Sequence, residues 1–148
     1  VSFAVDTNVL LRSIDDGHVA QAIAQTGLLA LRSRGETLSN FPQNLIEFWA
    51  VATRPVITNG LGLSIAKAEE EIIRLKTLFA LLPDIPEIFP EWERIVLQYQ
   101  VSGKQAHDAR LVAAMIVHDV GNLLTFNTTD FKRFTTITAV NPQSIPNQ

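Results

Sequence analysis

Five short apolar or β-branched runs alternate with longer segments of helical periodicity, and this alternation constrains the fold more than any other feature of the chain. The runs fall at residues 2–5, 37–39, 81–82, 122–126 and 136–140. Between them, residues 18–34 place Val19, Ile23, Leu28 and Leu31 among helical apolar positions, and Gly35 suits the helix C-cap. Pro42 suits the first turn of a helix over 42–54, which ends at Pro55 and the Asn59-Gly60-Leu61-Gly62 stretch. Ser64 reads as the N-cap of an amphipathic helix carrying Ile65, Ala68, Ile72, Leu75 and Phe79, with Glu70 and Arg74 paired on its solvated face. That apolar stripe has three readings: burial in the chain's own core, a dimer face, or a groove for a partner helix. Phe89, Trp92, Val96 and Tyr99 set out a further helical face, and 108–118 is helical again. Strands alternating with helices require a sheet covered on both sides. The predicted class is therefore α/β, a three-layer sandwich around a central, mainly parallel, short-stranded sheet.

With 148 residues and no linker or repeat, one domain spanning 1–148 is expected. The formal charge of −3 argues against a protein that coats nucleic acid through clustered Lys and Arg. It leaves a nuclease open, because an ion held by carboxylates is locally positive on an acidic protein. The absence of Cys excludes thiol catalysis and thiolate zinc sites. No apolar stretch approaches the roughly 20 residues a membrane helix requires, and no export leader is read at the start, so a soluble cytoplasmic protein is expected.

Four carboxylates sit deep in apolar sequence, where a charge costs several kcal/mol unless something pairs with it. Asp6 follows Phe3-Ala4-Val5 at the end of the first strand, where it either closes a local turn or faces a site. Glu47 shares a helix face with Ala50 and Val51, so it either snorkels to water or points inward. Asp108 lies near a helix start, ahead of Leu111, Val112 and Met115, and an acid there also suits the helix dipole. Asp130 follows the fourth strand, close to Asn127, and is read alternatively as the cap of a short helix carrying Phe131 and Phe134. Parallel sheets bind ligands at the carboxyl ends of their strands, which sends Asp6 and Asp130 to one rim. Gathered carboxylates repel, and a hard divalent ion such as Mg²⁺ or Mn²⁺ relieves that repulsion.

The segments FAVDTNVLL, QNLIEFWAVATRP, HDARLVAAM and LLTFNTTDF, in this order and spacing, resemble the PIN-domain family, and within it the small bacterial VapC-type toxins. The resemblance implies a metal-dependent ribonuclease that hydrolyses RNA phosphodiesters with metal-activated water, using Mg²⁺ or Mn²⁺. It also implies a homodimer that acts as the toxin of a pair inhibited by an antitoxin. By position it makes Asp6, Glu47, Asp108 and Asp130 the catalytic, metal-binding acids, with Asn8, Thr125 and Asn127 beside them and the first and fourth strands adjacent. Asn127 stands where some relatives carry an acid, which leaves open a catalytically weak regulatory or interaction protein with the same fold. An aspartyl-nucleophile phosphatase also begins with Asp-Thr after a strand, but carries a second Asp where Asn8 stands here. His107 and His118, eleven residues apart on one predicted helix, are separated by roughly 16 Å and cannot share an ion. Lys104, Arg110, Lys132 and Arg133 are the candidate phosphate contacts, each with ordinary surface as the plainer reading.

Overall fold

The computed structural model describes residues 1–147, and its core is a five-stranded sheet in the order β3-β2-β1-β4-β5, every neighbouring pair parallel. The strands are β1 (Ser2–Val5), β2 (Thr37–Asn40), β3 (Ala80–Leu81), β4 (Asn122–Leu124) and β5 (Thr138–Val140). Alternation along β1 sends Phe3 and Val5 to one core and Ala4 to the other, and β4 divides Leu124 from Leu123 in the same way. Both sheet faces are thus apolar. One face packs against α1 (Thr7–Ser13), α2 (Gln21–Ser33), α3 (Pro42–Thr53) and α4 (Ile65–Leu78), through Leu10, Leu31, Phe48 and Leu75. The other packs against α5 (Ile88–Gln98) and α6 (Gln105–Val117), through Ile95, Val112 and Met115, with Phe131 of α7 (Thr128–Phe131) and Phe134 closing its edge. Each fully buried Phe or Leu in these layers contributes about 1.5–3 kcal/mol of transfer free energy.

Several boundaries differ from the sequence expectation for identifiable reasons. Helix α1 has no periodic signal in the sequence: its seven residues begin almost directly after β1 and are too few to display a helical period. Asp6 caps it, its Oδ1 accepting the Thr7 N–H at 2.8 Å. Helix α2 starts at Gln21 rather than residue 18, Val19 is exposed, and the buried stripe runs through Ala24, Gly27 and Leu31. Gly27 lies against Pro142, where an added Cβ would come 3.1 Å from the Pro142 carbonyl oxygen, so the C-terminal segment selects small residues there. Gly35, at φ +75, follows α2 as expected, and Ser64 caps α4 by accepting the Lys67 N–H. The α4 stripe is only partly core: Ala68 and Leu75 are buried but Ile65 is exposed. Arg74 pairs with Glu71 rather than Glu70, and Glu70 pairs with Lys67. Strand β3 covers Ala80–Leu81, β4 stops at Leu124 and β5 starts at Thr138, each shorter or shifted because neighbouring strands offer only two or three residues to pair. No helix among the described residues is long and apolar enough to cross a membrane.

Candidate active site

The strand order reverses at β1, which lies between β2 and β4, so the crevice outside the carboxyl ends of β1 and β4 is the topological switch point. Asp6 leaves β1 there and Thr125 leaves β4, with the Asp6 N–H donating to the Leu124 carbonyl at 2.9 Å. The buried Thr125 hydroxyl donates to Asp6 Oδ2 at 2.8 Å and accepts from Asn8 Nδ2 and from the Asn127 N–H, each at 3.1 Å. Asn8 Oδ1 in turn accepts the Phe126 N–H. One hydroxyl therefore ties β1, α1 and the β4 exit together around the first acid. Asn127 contributes its backbone here, and its side chain is exposed.

Glu47 enters from α3. Its helix buries Asn44, Phe48 and Ala52, so Glu47 stands on the flank of that stripe, and Ala50, expected to share an apolar face with it, is exposed. Glu47 Oε2 accepts from the buried Thr7 Oγ1 at 3.2 Å, and its Oε1 accepts from Gln43 Nε2 at 3.0 Å. The same Gln43 amide donates to the His107 carbonyl at 2.8 Å, one residue before Asp108. A hydrogen-bonded path through Thr7 and Gln43 thus runs from Asp6 to Glu47 and on to the start of α6. Thr7 and Gln43 were not singled out in the sequence; their one local signal is that each lies one turn or less from an acid.

Asp108 lies in the first turn of α6, half-buried, and makes no capping bond; the helix start carries Lys104 in the cap position. Asp130 is in the first turn of α7, exposed, and does not cap that helix either, the cap position being Asn127. The acids feel one another across these elements. Burial pushes Asp6 up to about 6, against the opposing hydrogen bonds from Thr125 and Thr7, and the charges of Asp108 and Glu47 push the same way. Asp108 is also raised to about 6, by burial first and then by Asp130 and Glu47, with His107 and Arg133 opposing. Four acids from four separate elements therefore share one field. Among the described residues no three His, Asp or Glu side chains are gathered into a ready-made ion site. The donor set is nonetheless all oxygen, and the two raised carboxyls are ones that a cation would bring back to the ionised form. That chemistry fits Mg²⁺ or Mn²⁺, which are commonly held by one or two carboxylates with water completing the shell.

Two of these acids open onto a cleft, the acid cleft, of about 620 Å³ lined by Gln43, Ile46, Glu47, Asp84, His107, Asp108 and Arg110, which Asp6 and Asp130 do not line. Arg110, a candidate phosphate contact, pairs with Asp84 at 3.1 Å and donates to Gln43 Oε1 at 3.0 Å. Arg133 donates to the Tyr99 carbonyl and lies over the Phe134 ring. Lys104 and Lys132 are exposed, and His118 faces the Pro83 carbonyl, away from His107.

The sheet is parallel throughout, and Asp6 at its switch point lies in one electrostatic field with acids from α3, α6 and α7. The chain belongs to the PIN domain family, whose model matches residues 3–136. No curated protein matches it significantly in sequence. The fold is shared with VapBC2 from Rickettsia felis bound to a DNA fragment from their promoter, at TM-score 0.72 and 12% identity over 95% of this chain and 98% of that one. It is also shared with a toxin-antitoxin complex from Klebsiella pneumoniae, at TM-score 0.64 and 19% identity over 94% and 96% of the two chains. VapC20 of Mycobacterium tuberculosis, a sarcin-ricin loop cleaving toxin, matches at TM-score 0.63 and 17% identity over 88% and 93%.

Proposed function

We propose that this chain is a divalent-metal-dependent endoribonuclease of the VapC type, the toxin of a toxin-antitoxin pair, working as a homodimer. The observation that carries the reading is the convergence of Asp6, Glu47, Asp108 and Asp130 from separate elements within electrostatic reach of one another, where burial first and mutual repulsion second raise Asp6 and Asp108. His107 and Arg133 at Asp108, and the hydrogen bonds of Thr125 and Thr7 at Asp6, offset the rise only in part. The solved structures of like fold that are a toxin-antitoxin complex and a sarcin-ricin loop cleaving toxin support this choice of substrate class and partner.

In this reading Asp6, Glu47, Asp108 and Asp130 hold Mg²⁺ or Mn²⁺. When bound, such an ion supplies a Lewis acid for the phosphodiester and lowers the pKa of water. The chain's own residues preset the acids. Asp6 has three of its four lone-pair directions occupied, by Thr7, Thr125 and Asn8, which fixes its orientation and leaves one direction on Oδ1. Glu47 is held at both oxygens, by Thr7 and Gln43, and keeps one lone pair on each. Asn8 and Thr125 act as positioning residues for Asp6. Asn127 adds no negative charge at the outer corner, where Asp130 is the remaining acid.

The test is cleavage of single-stranded and structured RNA with Mn²⁺. The wild type is expected to cleave, EDTA to stop it, and Asp108→Asn to abolish both cleavage and growth arrest on expression. Asn127 is the one feature that favours the second reading, a catalytically weak regulatory protein. Absence of Mn²⁺-dependent cleavage, together with no thermal stabilisation by Mn²⁺, would establish that reading instead.

A further inference from the structure

Beside the acid cleft lies a second cavity of about 390 Å³, lined by Ile85, Pro86, Phe89, Trp92, His107 and Arg110 among others. His107 and Arg110 line both spaces, so the two are contiguous across a polar wall. The far wall is aromatic. Phe89 and Trp92, one helical turn apart on α5, stack with ring centroids 5.6 Å apart and planes inclined by 30°. The Trp92 indole N–H donates to the Ala106 carbonyl at 2.8 Å, which ties the ring to the start of α6, three residues before Arg110's neighbour Ala109. Phe89 is 63% exposed, a large ring left in water on the wall of this second cavity.

We propose that this cavity is a base-binding subsite, which takes one unpaired nucleobase of single-stranded RNA from a nucleotide next to the phosphodiester in the acid cleft. The proposal rests on the ribonuclease reading and adds to it how the substrate is held. The acids can recognise a phosphate through a cation but cannot grip a base. An aromatic pair offers a π-face to any base, and an apolar floor excludes water from it. Arg110 stands at the boundary where backbone and base diverge. Its guanidinium, fixed by Asp84 and Gln43, presents donors in a set direction. Asp84 also balances part of its charge, so stacking rather than net charge is the main source of affinity. Stacking tolerates every base, and recognition through this subsite selects single-stranded over duplex RNA rather than one sequence.

The test measures binding without cleavage, in EDTA, on the full chain. The protein has two Trp residues, so Trp49→Phe leaves Trp92 as the sole indole reporter. An eight-nucleotide single-stranded RNA is expected to quench Trp92 saturably, and an abasic oligomer of equal charge is expected not to. Phe89→Ala, at an exposed position, is expected to weaken RNA binding about 5- to 150-fold, the effect of losing about 1–3 kcal/mol of stacking. Phe89→Leu, which keeps apolar bulk without a π-face, is expected to fall between. Equal affinity for the RNA and the abasic oligomer, or Phe89→Ala binding RNA as the wild type does, overturns the proposal. So does conversion of a dimer to a monomer by Phe89→Ala at unchanged RNA affinity per chain, which assigns the aromatic pair to a subunit contact. Mn²⁺-dependent RNA cleavage by the wild type, measured separately, tells failure of the nuclease reading from failure of the base subsite.

Discussion

Replacing Asp6 with Asn is expected to make the metal-free protein more stable at neutral pH, although the substitution removes a buried group that makes three hydrogen bonds. The folded-state pKa of Asp6 is about 6 against a model value of 3.8, a gap of about 2.2 pH units. At 1.36 kcal/mol per unit the ionised carboxylate costs the folded state about 3 kcal/mol above pH 6. The sign follows from proton binding: between these two pKa values the folded state holds more protons than the unfolded one. The stability associated with protonated Asp6 is therefore complete below about pH 4 and lost as pH rises through 6. Asn removes the charge but presents an N–H₂ towards Thr125, whose hydroxyl already accepts two hydrogen bonds, at a cost of about 1 kcal/mol. The net gain is about 2 kcal/mol. With an unfolding entropy of about 2.1 cal/mol/K per residue, a 148-residue chain gains about 3 °C in Tm per kcal/mol, so a rise of about 6 °C is expected. Thermal denaturation in EDTA at pH 7.5 and at pH 4 measures both ends, and the advantage of Asp6→Asn should vanish or reverse at pH 4. A variant less stable than wild type by the same amount at both pH values would refute the reasoning, because Asp6 would then be a helix cap and nothing more.

Mn²⁺ at about 100 times its Kd should stabilise the wild type by about 2.7 kcal/mol, and a thermal shift assay should show this gain lost in Glu47→Gln and Asp108→Asn. The metal-free wild type should itself be more stable near pH 5 than near pH 8, because Asp108 is raised in the same direction as Asp6, and saturating Mn²⁺ should flatten that dependence in denaturant titrations. Thr125→Val keeps the shape of a fully buried side chain but strips a donor from Asp6 and an acceptor from Asn8 and Asn127. It should cost about 1–3 kcal/mol in urea unfolding and move the Asp6 titration, followed by carboxyl NMR, above 6; no change in that titration would remove Thr125 from its positioning role.

Legibility in the sequence followed the range of the interactions involved. The alternating runs, Gly35, Pro42 and Ser64 are local signals, and each marks the element it was read to mark. Helix α1 was hidden because seven residues make only about two turns, too few for the Asn8 and Arg12 side to stand out as a period. The Glu47 face is apolar on one side only: Val51 packs against the core while Ala50, as compatible with water as with a core, is exposed, because the packing of Phe48 and Ala52 decides which way α3 turns. Thr7 and Gln43 could not have been ranked above other polar residues, since their partners lie up to 67 positions away.

The amino-acid order by itself determined the layered α/β architecture, through the periods of its apolar residues, and the placement of Asp6 at a strand's carboxyl end. That β4 lies against β1 and that acids from α3, α6 and α7 meet Asp6 were implied by family resemblance and not by any local signal; the tertiary structure fixed both, and it alone decided that an aromatic cavity opens beside them. The physical reason is range. Periodicity and capping act over a few residues and are written in the chain, whereas repulsion between carboxylates and the burial that magnifies it depend on distances that exist only after the sheet has closed.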